Sequence, residues 1–266
     1  MIITLLTDYG SDDEFAGICH GVIAGIAPEA RVIDLTHGIG RHDIRHGALV
    51  LRNALDYVPA GIHVAVVDPM VGTPRRALAL RCADGRVLVG PDNGLLLPAA
   101  QRAGGIVLAV DITTSPHRLE PVSATFHGRD LFAPAAARLA TGVELAEAGT
   151  LLDPTQLVAL DLPRAELVDG ELLTHALIVD RFGNVTLDAS HEQLAGSGLG
   201  LGRTAELTVG ASRHRAIYVQ TFGDVEEGGL ILYEDAYRML AVAVNRGSAA
   251  ALLGIERDAE VRLRPL

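Results

Sequence analysis

Three apolar runs of this 266-residue chain end on an aspartate at a turn: residues 2–7 before Asp8, 64–67 before Asp68, and 176–179 before Asp180. Each run reads as a buried strand, and open α/β sheets bind ligands just beyond the carboxyl ends of their strands. A carboxylate held there can accept hydrogen bonds from a ligand or steer a water. The repetition predicts one acidic site, for a polyhydroxyl or cationic ligand, assembled from distant segments.

Other side chains could join it. In Asp68-Pro-Met-Val-Gly-Thr-Pro-Arg75 the prolines and Gly72 force a compact loop that can return Arg75 beside Asp68. Such a pair either staples the loop or serves chemistry, and spacing alone gives both equal weight. His127, in Thr125-Phe-His-Gly-Arg-Asp130, precedes an expected helix. A histidine there can cap, bond internally or catalyse. Beside Asp68 and Arg75 it could orient and polarise a water. Asp180-Arg-Phe-Gly-Asn184 reads as a hairpin turn. In a binding role Phe182 would stack on a flat ring, and the Asn184 amide, donor and acceptor together, would suit an adenine edge.

His37, His42 and His46 invite a metal reading, with His42 and His46 four apart. No carboxylate completes a zinc pattern such as HExxH, so no metal is expected. Neither GxGxxG after a strand nor GxSxG occurs, which disfavours a dinucleotide fold and an α/β-hydrolase.

Composition narrows the classes. The net charge of -11 argues against nucleic-acid partners and would suit a cationic ligand, though solubility alone explains such a balance. All 22 basic residues are arginine, which excludes lysine Schiff bases and phosphate-loop lysines. Cys19 and Cys82 lie outside any CxxC and read as small core residues. No signal peptide or membrane span is expected, and the anticipated location is the cytoplasm.

These groups need elements to position them. A Ser11–Glu14 capping box should open a helix with Phe15, Ile18, Cys19, Val22, Ile23 and Ile26 at helical spacing. Asp43 should cap a second helix. Strands are expected at 31–36, 62–67 and 106–110, a hairpin around Asp84-Gly85, a turn at 90–94, and helices at 96–102 and 130–139. Alternation of this kind implies an α/β domain with a mostly parallel sheet covered on both faces. After a polar connector at 153–170, strands follow almost alone and read as a smaller all-β, barrel-like domain. The expected domains are 1–160 and 161–266.

The motifs at 7–11, 67–75, 90–94, 125–130, 180–184 and 243–250 stand in the order of one family. Over nearly its whole length the chain resembles the S-adenosyl-L-methionine (SAM) hydrolases, or SAM hydroxide adenosyltransferases, formerly DUF62, related to the SAM-dependent fluorinase and chlorinase. The resemblance implies a homotrimer whose site lies between the N-terminal domain of one subunit and the C-terminal domain of the next. It implies SAM as substrate, with no cofactor, and hydrolysis to adenosine and L-methionine. Asp68, Arg75 and His127 become the water-handling triad, Arg75 favouring a hydroxide-like water that Asp68 and His127 hold. Asp8 would chelate the ribose diol and Asp180 the methionine ammonium. Phe182, Asn184 and Asn245 would frame the adenine.

The halogenases carry an uncharged aromatic residue where Asp68 stands and lack the arginine and histidine. A carboxylate there repels halide, so water is the expected nucleophile. They also have a Ser-Arg pair where this chain has Ala236-Tyr237, so carboxylate binding must use other groups. The rival readings are a SAM halogenase, a non-catalytic SAM- or adenosine-binding protein, and a metal-dependent hydrolase built on the three histidines.

Overall fold

The computed structural model describes residues 1–194 and 196–266, in two compact units, Met1–Asp161 and Leu162–Leu266. The first unit contains β1 (Ile2–Thr7), α1 (Phe15–Ile26), β2 (Arg31–Thr36), α2 (Ile44–Ala54), β3 (Ile62–Val66), β4 (Ala77–Cys82) and β5 (Val87–Pro91). It continues with α3 (Leu97–Arg102), β6 (Ile106–Asp111), a π-helical turn at Gly128–Phe132, α4 (Ala133–Ala140) and β7 (Thr150–Leu152). The sheet order is β2-β1-β3-β5-β4-β6-β7. β1, β2, β3 and β5 run parallel, β4 reverses, and β6 pairs antiparallel with β4 and so shares their direction. The sheet is therefore mixed and mostly parallel, as the alternating pattern implies.

Alternation along β1 explains why both faces are covered. Ile3 and Leu5 meet Cys19 and Ile23 of α1 and Ala133 and Ala136 of α4. Leu6 turns to the opposite face, with Ala48 and Leu51 of α2 and Ala99 of α3. Each of the large aliphatic side chains contributes about 1.5–3 kcal/mol by leaving water. Asp43 caps α2 as expected, accepting from the His46 amide at 2.9 Å.

The capping box does not form. α1 begins at Phe15, its N-cap position is Glu14, and no side chain caps it. The Phe15 ring packs on Tyr9 and Phe126, with centroids 5.9 and 5.0 Å away, so tertiary packing sets the helix start. The helix expected from Asp130 begins instead as the π turn.

The second unit holds β8 (Glu166–Val168), β9 (Glu171–Val179), β10 (Val185–Ser190), β11 (Thr204–Val209), β12 (Ser212–Tyr218), β13 (Leu230–Glu234), β14 (Met239–Val244), α5 (Ala249–Leu253) and β15 (Glu260–Pro265). The order β10-β14-β13-β12-β11-β15-β9 is closed by pairing of β9 with β10, which makes a seven-stranded barrel with β8 added beside β9. Its core is filled at every second position, as in Leu240, Val242 and Val244, or Val261 and Leu263. The helix α5 was not anticipated. It is five residues long, capped by Ser248, whose hydroxyl accepts from the Ala251 amide, and stopped by Gly254 in the left-handed region. No described helix is long and apolar enough to cross a membrane.

A titratable side chain, His63, is buried in the first sheet. His63 pairs in register with Thr4, whose Oγ1 lies 3.0 Å from its Nδ1. Burial, reinforced by the Arg86 cation, holds this imidazole down at about 4 against an ordinary 6.5. The unfolded chain therefore binds a proton near pH 6.5 that the native state refuses until about pH 4. Stability should fall across that window by up to about 3 kcal/mol and then level off. Urea midpoints measured against pH should show this limb, and the double substitution Thr4→Val/His63→Leu should flatten it. An unchanged limb in the double variant would assign the acid sensitivity elsewhere.

Candidate active site

Asp68 follows β3 at the carboxyl end of the central parallel strands, the position the sheet geometry favours for a ligand. The loop it begins is tightly wound. The Val71 amide donates to the Asp68 carbonyl at 3.3 Å, and both the amide and hydroxyl of Thr73 donate to the Met70 carbonyl. Gly72 has φ +77°, and a Cβ there would lie 2.3 Å from the Ala124 carbonyl oxygen. Only glycine lets this loop rest on the one that carries His127.

The return of the chain brings Arg75 onto Asp68. Its Nε donates to Oδ1 and Oδ2 at 3.1 and 3.0 Å, and Nη2 donates to Oδ2 as well. The two side chains are only 3% and 5% exposed. The guanidinium sits over the buried Phe132 ring, 5.4 Å from its centroid. Nη2 also reaches His127 Nδ1 at 2.8 Å. A guanidinium only donates, so Nδ1 must accept and the ring proton resides on Nε2. Burial, and next the Arg75 charge, hold the His127 imidazole below its usual range. It is therefore neutral near pH 7, with an N–H to offer. The three expected triad residues thus converge within one unit.

Asp8, Tyr9, Asp68, Thr125, His127 and Gly128 line one cleft, with Val66 and Val71 as its apolar wall. Arg75 offsets the Asp68 charge, and Asp8 places a second carboxylate on the same cleft. Asp8 Oδ2 accepts from the His42 amide at 3.0 Å, and His42 adopts φ 64° to aim it. Tyr9 is wedged among Phe15 and Phe126. Burial, then Cys19, Asp8 and Asp68, push its phenol well above the ordinary range, so it remains a neutral donor. A Cβ on Gly128 would lie 2.2 Å from the Tyr9 hydroxyl oxygen. The phenol therefore occupies the space a side chain at 128 would need.

Several positioning residues escaped the sequence reading. Asn93, in the motif at 90–94, donates through Nδ2 to the Val67 carbonyl at 2.8 Å and so fixes the peptide before Asp68. Asp92 accepts from Arg76 Nε at 2.8 Å, next to Arg75. Asp130, almost fully buried, accepts from the Ser123 amide at 2.7 Å and ties the π turn to the His127 loop. Such turns are frequent at functional sites. Tyr9 and Gly128 also escaped, because their relation is steric and spans most of the unit. The buried thiols of Cys19 and Cys82 are pushed up to about 12, which removes them as nucleophiles.

The remaining candidates belong to the second unit. Asp180 organises its own loop, accepting from the amides of Phe182 and Asn184 and from Asn184 Nδ2 at 2.8–2.9 Å. Phe182 is 69% exposed, with the Arg181 guanidinium 5.5 Å from its ring centroid. Asn245 Nδ2 donates to the Val225 carbonyl at 2.9 Å. The Ala250 amide donates to the Gly183 carbonyl, so the segment after Asn245 borders the Asp180 loop. His37, His42 and His46 do not assemble. His37 lies against Thr7 and Asp34, while His46 lies 3.8 Å from Asp43.

Comparison with known proteins points to one family. Residues 3–149 match the model of the SAM hydroxide adenosyltransferase N-terminal domain, and residues 174–262 match that of its C-terminal domain. A Salinispora tropica protein named (R)-S-adenosyl-L-methionine hydrolase is 48% identical, over 98% of this chain and 97% of its own. A Nocardia brasiliensis protein named fluorinase is 25% identical over 99% of this chain and 96% of its own. The crystal structure of an uncharacterised conserved protein from Thermotoga maritima superposes with a TM-score of 0.92 at 31% identity, covering 99% of this chain and all of that one. Matched in order through both halves, the chain belongs to the SAM hydroxide adenosyltransferase family.

Proposed function

We propose that this chain hydrolyses S-adenosyl-L-methionine to adenosine and L-methionine, using Asp68, Arg75 and His127 to hold and activate the attacking water. The observation that carries the reading is the convergence of these three side chains, two of them lining the cleft that Asp8 also lines. The hydrolase name borne by a relative 48% identical over the full length supports the same reaction.

The chemistry asks little of the protein beyond placement. A water oxygen bonds to ribose C5′ as the C5′–S bond breaks. The bonding pair goes to sulfur, and methionine departs as a neutral thioether. No acid is required for the leaving group and no Lewis acid to polarise it. In-line positioning of this kind can lower a barrier by up to about 7–11 kcal/mol. With Nδ1 engaged by Arg75, His127 would offer Nε2–H to the nucleophile in exchange for the nearby Ser123 carbonyl, and so does not take the proton. Asp68 Oδ1, which accepts from Arg75 Nε alone, is the group left to receive it. Arg75 favours the hydroxide-like oxygen electrostatically, and the Val66 and Val71 wall limits competing solvent.

The same proposal has Asp8 bind the ribose hydroxyls, Asp180 the ammonium, and Phe182, Asn184 and Asn245 the adenine. The chain would act as a cytoplasmic homotrimer with the site shared between subunits, without nucleic acid or a cofactor. Asp180 and Asn184 would then use lone pairs beyond those their own loop already engages.

Incubation of the protein with SAM and chloride should give adenosine, with no 5′-chloro-5′-deoxyadenosine, by chromatography. Asp68→Asn and His127→Ala should each lower kcat by roughly 100-fold or more. Release of adenosine at the wild-type rate from both variants would remove the triad from the mechanism, and no release from wild type would favour a binding protein.

Acid should silence the enzyme through His127. Protonation places a proton on Nδ1 against the Arg75 donor, so kcat/KM should be flat near pH 7 and fall with a midpoint below 6.5. A midpoint above 6.5 would contradict the assigned tautomer.

The contact between Tyr9 and Gly128 yields a coupled pair. Gly128→Ala should lower kcat/KM at least tenfold, and adding Tyr9→Phe should recover part of it, because the clashing oxygen is gone. Strictly additive losses in this double-mutant cycle would show that the phenol does not set the space at 128.

A further inference from the structure

We propose that His20, Asp34 and His37 form a site for one divalent transition-metal ion, with zinc as the reference ion, on the edge of the first sheet and outside the cleft. His20 comes from α1, Asp34 from β2 and His37 from the turn after β2. One ligand atom from each lies within 4.8 Å of the others. His20 Nε2 and His37 Nε2 approach the same Asp34 oxygen, Oδ1, at 2.8 and 3.1 Å. Tetrahedral zinc with bonds near 2.0–2.1 Å separates its ligand atoms by about 3.3 Å, so the two contacts to Asp34 would lengthen slightly and the rings would turn to admit the ion. Two imidazoles and one carboxylate suit zinc, cobalt or nickel rather than calcium or magnesium, which prefer all-oxygen shells.

The alternative is a surface carboxylate bonded to two histidines, and His37 argues against it. Its Nε2 is buried and makes no hydrogen bond, although the carboxylate is close. The ring is set from behind, with Nδ1 2.8 Å from Thr7 Oγ1. A hydrogen-bond acceptor behind one imidazole nitrogen fixes the other as a metal ligand, and the Thr7 hydroxyl oxygen can fill that place. Thr7 Oγ1 also accepts from the Tyr9 amide, and the His37 carbonyl accepts from the Gly10 amide at 2.8 Å. A bound ion would thus pin α1 to the edge strand β2 and stiffen the turn that carries Asp8 and Tyr9. None of the three ligands lines the cleft, so the ion would be structural.

The test is calorimetric titration of zinc chloride into untagged, chelator-treated, dialysed full chain, with cobalt absorption as a second readout. Wild type should take up one zinc per chain and show tetrahedral cobalt bands. His20→Ala and Asp34→Asn should each weaken binding by roughly tenfold or more. His191→Ala, which removes a surface histidine paired with Glu234, should bind like wild type. Uptake below about 0.2 equivalents by wild type, or unchanged affinity in His20→Ala, would overturn the site.

Discussion

Arg75 brings a permanent charge to a place that solvent barely reaches, and the neighbourhood is built around satisfying it. Asp68 supplies the counter-charge, Phe132 the ring beneath, the Arg76 carbonyl an acceptor for Nη1, and His127 Nδ1 an acceptor for Nη2. Breaking a buried pair by deleting one partner costs about 3–5 kcal/mol, against a total stability of about 5–15 for a typical domain. The pair is therefore a structural commitment as much as a chemical one. It also fixes a tautomer. Because the guanidinium cannot accept, the neutral His127 ring accepts at Nδ1 and carries its proton on Nε2.

The supports of this arrangement come from elements that do no chemistry. The parallel strands end together, and the loop after β3 is anchored by Asn93 on the Val67 carbonyl. Gly72 allows that loop to touch Ala124, and the π turn with Asp130 holds the segment leading to His127. Tyr9 fills the space above Gly128, so the cleft has little slack beside His127. In a reaction whose leaving group departs unaided, such fixed geometry is the main lever on rate.

Much of this could be read from the sequence, and the failures have physical causes. Apolar runs ending on aspartate marked the strands and the site edge, and Pro and Gly spacing marked the loop that returns Arg75. The tautomer could not be read, since it depends on which nitrogen meets a donor. The capping box at Ser11 matched a local pattern, but the packing of Phe15 on Tyr9 and Phe126 decided the helix start. The helix α5 had its cap serine and its terminal glycine, yet five residues are too few for a periodic signal. His20, Asp34 and His37 stayed hidden because a helix and a strand juxtapose them, whereas the eye is drawn to His37, His42 and His46 by sequence proximity.

Burial and the Arg75 charge keep His127 neutral, and the Arg75 donor leaves its proton on Nε2. Nitrogen-15 NMR of histidine-labelled protein near pH 7, with the His127 signals assigned by their loss in His127→Asn, reads this directly. The expected result is an unprotonated, acceptor-type Nδ1 and a protonated Nε2. A proton on Nδ1, or an imidazolium at that pH, would contradict it.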